Sequence, residues 1–193
     1  MLTPESSSVC LIETFLPAER RYVRGMKTIL FLMTFCALVC VARADEPKAA
    51  QAQLDPKSDT KVTGLVFFIK KGDDVQVAGN ILNLKPGKHG VHIHDKGDCS
   101  APDASSAGPH FNPTNKHHGG PTTAEHHTGD LGNIEAGADG TAQINWKGKL
   151  SLSGGDSIIG KSLVVHDKED DLKTDPAGNS GARVACGVIT EAK

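Results

Sequence analysis

Seven side chains with metal-ligating chemistry constrain this chain more than anything else in it: His92, His94, His110, His118, His127, Asp130 and His166. His92 and His94 lie in Gly90-Val91-His92-Ile93-His94. Side chains two apart on a strand share a face, so both imidazoles can reach one ion. His110, His118, His127 and Asp130 follow within 21 residues, in a stretch whose glycines and prolines mark it as loop. His166 ends Ser162-Leu163-Val164-Val165-His166, a second apolar strand. A fold that uses all seven must set two strands together and wrap a long loop over them. Three imidazoles and a carboxylate suit tetrahedral zinc, whereas an all-imidazole set suits copper as well as zinc. Spacing alone does not choose between His117 and His118, or between His126 and His127, and His89 stands outside the pattern.

Short apolar runs recur around these residues between turn signals. The clearest span 61–70, 75–82, 90–95, 141–146, 161–166 and 183–189, with 49–54 and 132–136 weaker. Lys71-Gly72-Asp73-Asp74, Lys85-Pro86-Gly87 and Ala138-Asp139-Gly140 carry the residues that tight turns require. No segment holds a helical period. About eight strands and no helix predict an all-β, antiparallel sandwich or barrel. Two long connections, 96–130 and 167–182, would form the site.

The N-terminal region has a different character. Residues 29–41 are apolar but for Thr34, preceded by Met26-Lys27 and followed by Ala42-Arg43-Ala44. A short apolar run ending in a small-x-small triplet reads as a secretory signal peptide, cleaved after Ala44. Thirteen residues fall short of the roughly 20 that span a bilayer. Met26 is the natural initiator of such a signal, so residues 1–44 are set apart as extension plus signal and 45–193 as a single domain. Lys and Arg then fall from 21 to 16 and Asp and Glu from 23 to 20, a net charge of about −4. Such a balance, without basic runs, points to no nucleic-acid partner and, after cleavage, to no membrane.

Six segments, taken in order, carry a family resemblance. They are Gly-Val-His-Ile-His at 90–94, Ala-Gly-Pro-His-Phe-Asn-Pro at 107–113 and Lys-His-His-Gly-Gly-Pro at 116–121. His-Thr-Gly-Asp-Leu-Gly-Asn at 127–133, Leu-Val-Val-His at 163–166 and Gly-Ala-Arg-Val-Ala-Cys-Gly-Val-Ile at 181–189 complete them. Together they resemble copper/zinc superoxide dismutase over roughly residues 48 to 190. The resemblance implies an eight-stranded antiparallel Greek-key sandwich or barrel with two long functional loops. It resolves the paired histidines in favour of His118 and His127. By position it makes His92, His94, His110 and His166 the copper ligands, and His110, His118, His127 and Asp130 the zinc ligands, with His110 serving both metals. Asp170 matches the family's carboxylate linking a copper ligand, His92, to a zinc ligand, His118; such partners orient imidazoles and tune the metal.

The implied activity is dismutation of superoxide to oxygen and hydrogen peroxide by a redox-cycling copper beside a histidine-bridged zinc. His110 would exchange a proton during the cycle. Arg183 would dock the superoxide anion, since a guanidinium presents a rigid fork to a small anion. A copper- and zinc-binding periplasmic protein without turnover is the competing reading, and Arg183 argues against it, because storage needs no anion-docking cation. Only Cys99 and Cys186 of the five cysteines follow Ala44. Two cysteines in an exported chain predict one disulfide, and the resemblance implies the same pairing. The bridge would close about 88 residues, for which loop entropy alone gives roughly 4 to 5 kcal/mol. Cys99 stands five residues after His94, earlier than in many eukaryotic members and closer to the bacterial secreted pattern, which leaves the conformation of 97–108 open. The signal peptide implies a secreted or periplasmic location, and a homodimer is compatible with it. From His166 to Arg183 is 17 residues, shorter than the loop of many eukaryotic family members, and the acid-and-lysine cluster those carry there is reduced to Lys173.

Overall fold

The structure, a computed structural model, describes residues 47–192; the expected signal and its cleavage point lie outside them. Eight strands carry the fold: β1 (Ala49–Pro56), β2 (Thr63–Lys71), β3 (Asp74–Leu82), β4 (Gly87–His94), β5 (Asp130–Ala136), β6 (Ala142–Gly148), β7 (Ser162–His166) and β8 (Arg183–Glu191). All six clear runs and both weaker ones form strands, with ends that differ by at most three residues. Asp130, expected at the end of a loop, opens β5 instead.

The strands close into an antiparallel barrel in the order β1-β2-β3-β6-β5-β4-β7-β8, with β8 returning to pair with β1. The non-consecutive neighbours β3–β6 and β4–β7 are Greek-key crossovers. Closure leaves no free sheet edge, which removes the hazard of edge-to-edge pairing. Alternation sets the core. Ala50, Ala52 and Leu54 of β1, Val66 and Phe68 of β2 and Val75, Val77 and Ile81 of β3 point inward and are buried, while their neighbours along each strand face outward.

β4 and β7 break that alternation in burial. Val91 and Ile93 fill the barrel, yet His92 and His94 on the opposite face are buried too, and all five residues of β7 are buried. Two connections, 95–129 and 167–182, account for this by covering the outer face of β4, β7 and β8. The first is anchored through a 3-10 turn, Ser105–Ala107. Its Ala104 and Ala107 pack with Val164, Cys186 and Cys99 in a small apolar cluster outside the barrel. The Cys99–Cys186 disulfide is formed there, with Cα atoms 5.8 Å apart. Aspartate side chains shape the part of this loop that spacing leaves open: Asp98 and Asp103 each accept from a backbone N–H two residues on, Ser100 and Ser105.

Candidate metal centre

Backbone pairing places the ligating side chains before any side-chain interaction is considered. His92 and His94 share the outer face of β4, opposite Val164 and Ser162 of β7. His166 lies at the end of β7, across from Arg183 at an irregularity in the β7–β8 register, so both emerge side by side. Residue 110 is stitched to the end of β4 by a bridge between His94 and His110 and by Phe111 N–H donating to Ile93 O at 2.8 Å. Gly129 completes this seam, donating to Phe111 O and accepting from Ile93 N–H. A β-carbon at Gly129 would run into the Ile93 carbonyl, so only glycine allows the approach. Asp130 then begins β5 directly opposite His92.

Two groups of ligating atoms result. His92, His94, His110 and His166 form one, and His110, His118, His127 and Asp130 the other; within each, one ligand atom per residue lies within 4.8 Å of the rest, and every member is buried. His110 belongs to both. The rings of His92 and His110 are 4.0 Å apart between centroids.

Five of the imidazoles, those of His92, His94, His110, His118 and His166, are each held through one ring nitrogen, His110 by its Nδ1 at 2.8 Å from Asp130 Oδ1. His92 Nε2 donates to Asp170 Oδ2 at 2.8 Å, and His118 Nε2 to Asp170 Oδ1 at 2.9 Å. His94 Nδ1 donates to the Gly108 carbonyl at 2.8 Å. His166 Nδ1 lies 3.1 Å from Ser180 Oγ, which itself donates to Ala177 O, and 3.3 Å from Gly181 O. Six ring nitrogens, His92 Nδ1, His94 Nε2, His110 Nε2, His118 Nδ1, His127 Nδ1 and His166 Nε2, are buried without a well-formed hydrogen bond, those of His118 and His127 facing the Asp130 carboxylate at 3.1 and 3.3 Å. A buried polar atom left unpaired costs about 1–3 kcal/mol. Six of them converging on two points is what an apolar core would not tolerate and what two cations would satisfy, so these residues fit a pair of metal ions.

Electrostatics agree with that fit. Burial, then the neighbouring His110 and Arg183, holds His94 well below the usual imidazole range. Burial, then His92 and His110, does the same for His166. Burial lowers His110 to about 4 against the pull of Asp130. These rings are neutral at ordinary pH, with lone pairs free to ligate. The second group behaves differently because it contains a carboxylate. Burial opposes charge on His118, but the carboxylates of Asp130 and Asp170, 3.1 Å from Nδ1 and 2.9 Å from Nε2, outweigh it and raise the ring to about 10. Asp130 sits below the usual carboxylate range; burial alone would raise it, but His110 and His118 overcome that. Without metal, protons stand in for the cation, so metal binding there releases protons.

Asp170 is fixed by Asn133 on β5, which donates to the Asp170 carbonyl and accepts from its amide, both at 2.8 Å. Gly178 packs so closely over the Asp170 carboxylate and the His118 ring that a β-carbon would collide with both. Arg183 is half-buried and donates from Nη1 to Ala104 O at 2.7 Å and from Nη2 to Gly108 O at 2.8 Å. The Gly108 carbonyl therefore contacts both the arginine and His94 of the first group. Burial lowers the Arg183 pKa while Asp103 supports its charge.

The remaining histidines have other partners. His117 is exposed, its Nδ1 2.7 Å from Asp175 Oδ2, and His126 Nδ1 donates to Thr123 O. His89 is buried with its ring nitrogens 2.8 Å from His166 O and 2.8 Å from Lys85 O, so it braces the end of β7. Lys173 is exposed, with its amide bound to Asp171. Spacing arguments single out neither Asn133 nor Ser180, because both act on backbone or on the far side of a ligand.

The family model for copper/zinc superoxide dismutase matches residues 62–189. The extracellular copper/zinc superoxide dismutase of Brugia pahangi is 49% identical over 138 residues, covering 66% of this chain and 69% of that protein. The copper/zinc superoxide dismutase of Onchocerca volvulus is 50% identical over 145 residues, covering 69% of this chain and 90% of its own. Among solved structures, that of the clock protein EA4 superposes with a TM-score of 0.71 at 39% identity, covering 77% of this chain and 98% of the other. An eight-stranded closed barrel, buried histidine clusters that fit two metals and matches over two thirds of the sequence lead to one assignment: the chain belongs to the copper/zinc superoxide dismutase family, enzymes with copper and zinc as cofactors.

Proposed function

We propose that His92, His94, His110 and His166 hold the copper and that His110, His118, His127 and Asp130 hold the zinc, with His110 shared. The observation that carries this reading is the division of the six unpartnered imidazole nitrogens. His92, His94, His110 and His166 offer nitrogen alone, a set that suits copper; the other group adds the Asp130 carboxylate, a set that suits zinc. Bound copper supplies one-electron chemistry, so that two superoxide ions and two protons give one oxygen and one hydrogen peroxide.

The chain's own residues do the rest. Arg183 docks the anion through the N–H groups left over when its guanidinium donates to the Ala104 and Gly108 carbonyls, which fix its orientation. His110 Nε2 takes up a proton in one half of the cycle and delivers it to the departing peroxide in the other. Asp170 holds His92 and His118 in fixed orientations through one carboxylate, which keeps the two sites in register. Zinc's part is structural and electrostatic, because it does not change oxidation state.

His118→Ala and His127→Ala should lose zinc, whereas His117→Ala and His126→Ala should keep near-normal metal content. Elemental analysis of the four purified variants checks this, and equal loss in both pairs contradicts the assignment.

The relative from Brugia pahangi is described as extracellular. Together with the 29–41 run and Ala42-Arg43-Ala44, this supports export of a domain that begins at Asp45. Intact-mass analysis of protein from its native compartment should give a chain starting at Asp45 and two hydrogens light. A retained N-terminus or two free thiols would count against it.

A further inference from the structure

The connection between β1 and β2 meets the start of β8, where the docking arginine stands, because Pro56 at the end of β1 pairs with Ala185. Ser58 and Asp59 both adopt positive φ, 51° and 57°, and Thr60 N–H closes the turn on Lys57 O at 3.1 Å. Such a two-residue turn favours glycine or asparagine; this chain spends serine and aspartate there, and the serine hydroxyl is engaged. Ser58 Oγ donates to Arg183 O at 2.9 Å and Thr60 Oγ1 to Val184 O at 2.7 Å, while Lys57 N–H donates to the same Val184 carbonyl at 2.9 Å. The turn also grips the disulfide loop. Lys57 Nζ donates to Cys99 O at 2.5 Å and Ser58 N–H to Pro102 O at 2.8 Å.

These bonds join two segments whose separation matters. One is the start of β8, which carries Arg183. The other is the loop whose Ala104 and Gly108 carbonyls aim the guanidinium. The disulfide fixes the same two segments further along, at Cys99 and Cys186. We infer that the 57–60 turn, through Lys57 and Ser58, is a positioning device for Arg183, setting the backbone of β8 against the loop that orients the guanidinium. The inference rests on the proposed anion-docking role of Arg183. Lys57 and Ser58 touch no substrate; they act through the arginine, and a displacement of about 1 Å at a docking group can cost as much as a hundredfold in rate.

The test is a double-mutant cycle on the copper- and zinc-loaded, disulfide-bonded protein. Lys57→Met keeps the aliphatic stem and removes the donor, and Ser58→Gly removes the hydroxyl at a backbone angle that glycine adopts freely. The pair should lower the superoxide rate by about threefold to tenfold and weaken azide affinity, read from the copper absorption spectrum, with metal content unchanged. In an Arg183→Ala background the same pair should change neither quantity, because groups acting through one residue are not additive. An unchanged rate in the native background, or an undiminished drop in the Arg183→Ala background, overturns the inference. Wild-type turnover by Arg183→Ala alone overturns it differently, by removing the docking role itself. Thr60→Val, which loses the hydroxyl bond to Val184 O and a longer one from Val62 N–H within the turn, should show the same dependence on Arg183 at smaller size, and answers the question if the paired variant does not fold.

Discussion

Replacing His166 with alanine is expected to abolish superoxide dismutation while most zinc stays bound. His166 contributes to the four-imidazole group alone, and His110, His118, His127 and Asp130 lose nothing directly by its removal. The ring also has no substitute nearby. Nδ1 is turned toward Ser180 and Gly181, Nε2 is bare and buried, and the adjacent His89 is committed to the His166 and Lys85 carbonyls. Elemental analysis beside a superoxide assay reads both halves of the expectation. Full activity, or equal loss of both metals, would contradict the division of ligands between the two groups.

Arg183→Glu is expected to lower the superoxide rate by at least about tenfold, within the range by which local fields alter association, with copper content and fold unchanged. The residues after Ala44 carry a net charge of about −4, so the protein as a whole repels an anion and a local cation must offset that. Burial chiefly lowers His94 and His166, and Arg183 lies close enough to add to it at both. Its position across from His166 on β8 puts the charge beside the first metal group rather than on the rim. Lys173→Glu should have a smaller effect. That lysine is exposed, and its field is screened over a Debye length of about 8 Å at physiological ionic strength. Pulse-radiolysis rates across ionic strength separate the two: the Lys173 effect fades with salt and the Arg183 effect persists. A fully loaded Arg183→Glu protein with wild-type rate would remove this residue from the mechanism.

Much of the fold was legible because its rules are local. Alternating patterns and turn residues located all eight strands, and the His-x-His pair announced a strand with one functional face. The site was legible only in part. Spacing could not separate His117 from His118, since neighbours in a loop have no fixed facing; the difference is a matter of what covers each ring. Asp175 draws His117 outward while its other oxygen holds the backbone of His118 at 2.7 Å. Asn133 escaped notice because it binds only the backbone of Asp170, and Ser180 because it meets the non-ligating nitrogen of His166. The 57–60 turn left no sequence signal either, because it lacks glycine and its contacts lie more than 40 residues away in the chain.

The central claim is that turnover belongs to copper in the site formed by His92, His94, His110 and His166, with zinc in the adjoining site. The most direct measurement is the superoxide rate of one preparation loaded with zinc alone and then titrated with copper, followed by pulse radiolysis. The account predicts negligible turnover for the zinc-only protein and a rate that rises linearly until one copper is bound per chain. A zinc-only protein that dismutes superoxide, or a fully loaded protein that does not, would contradict it.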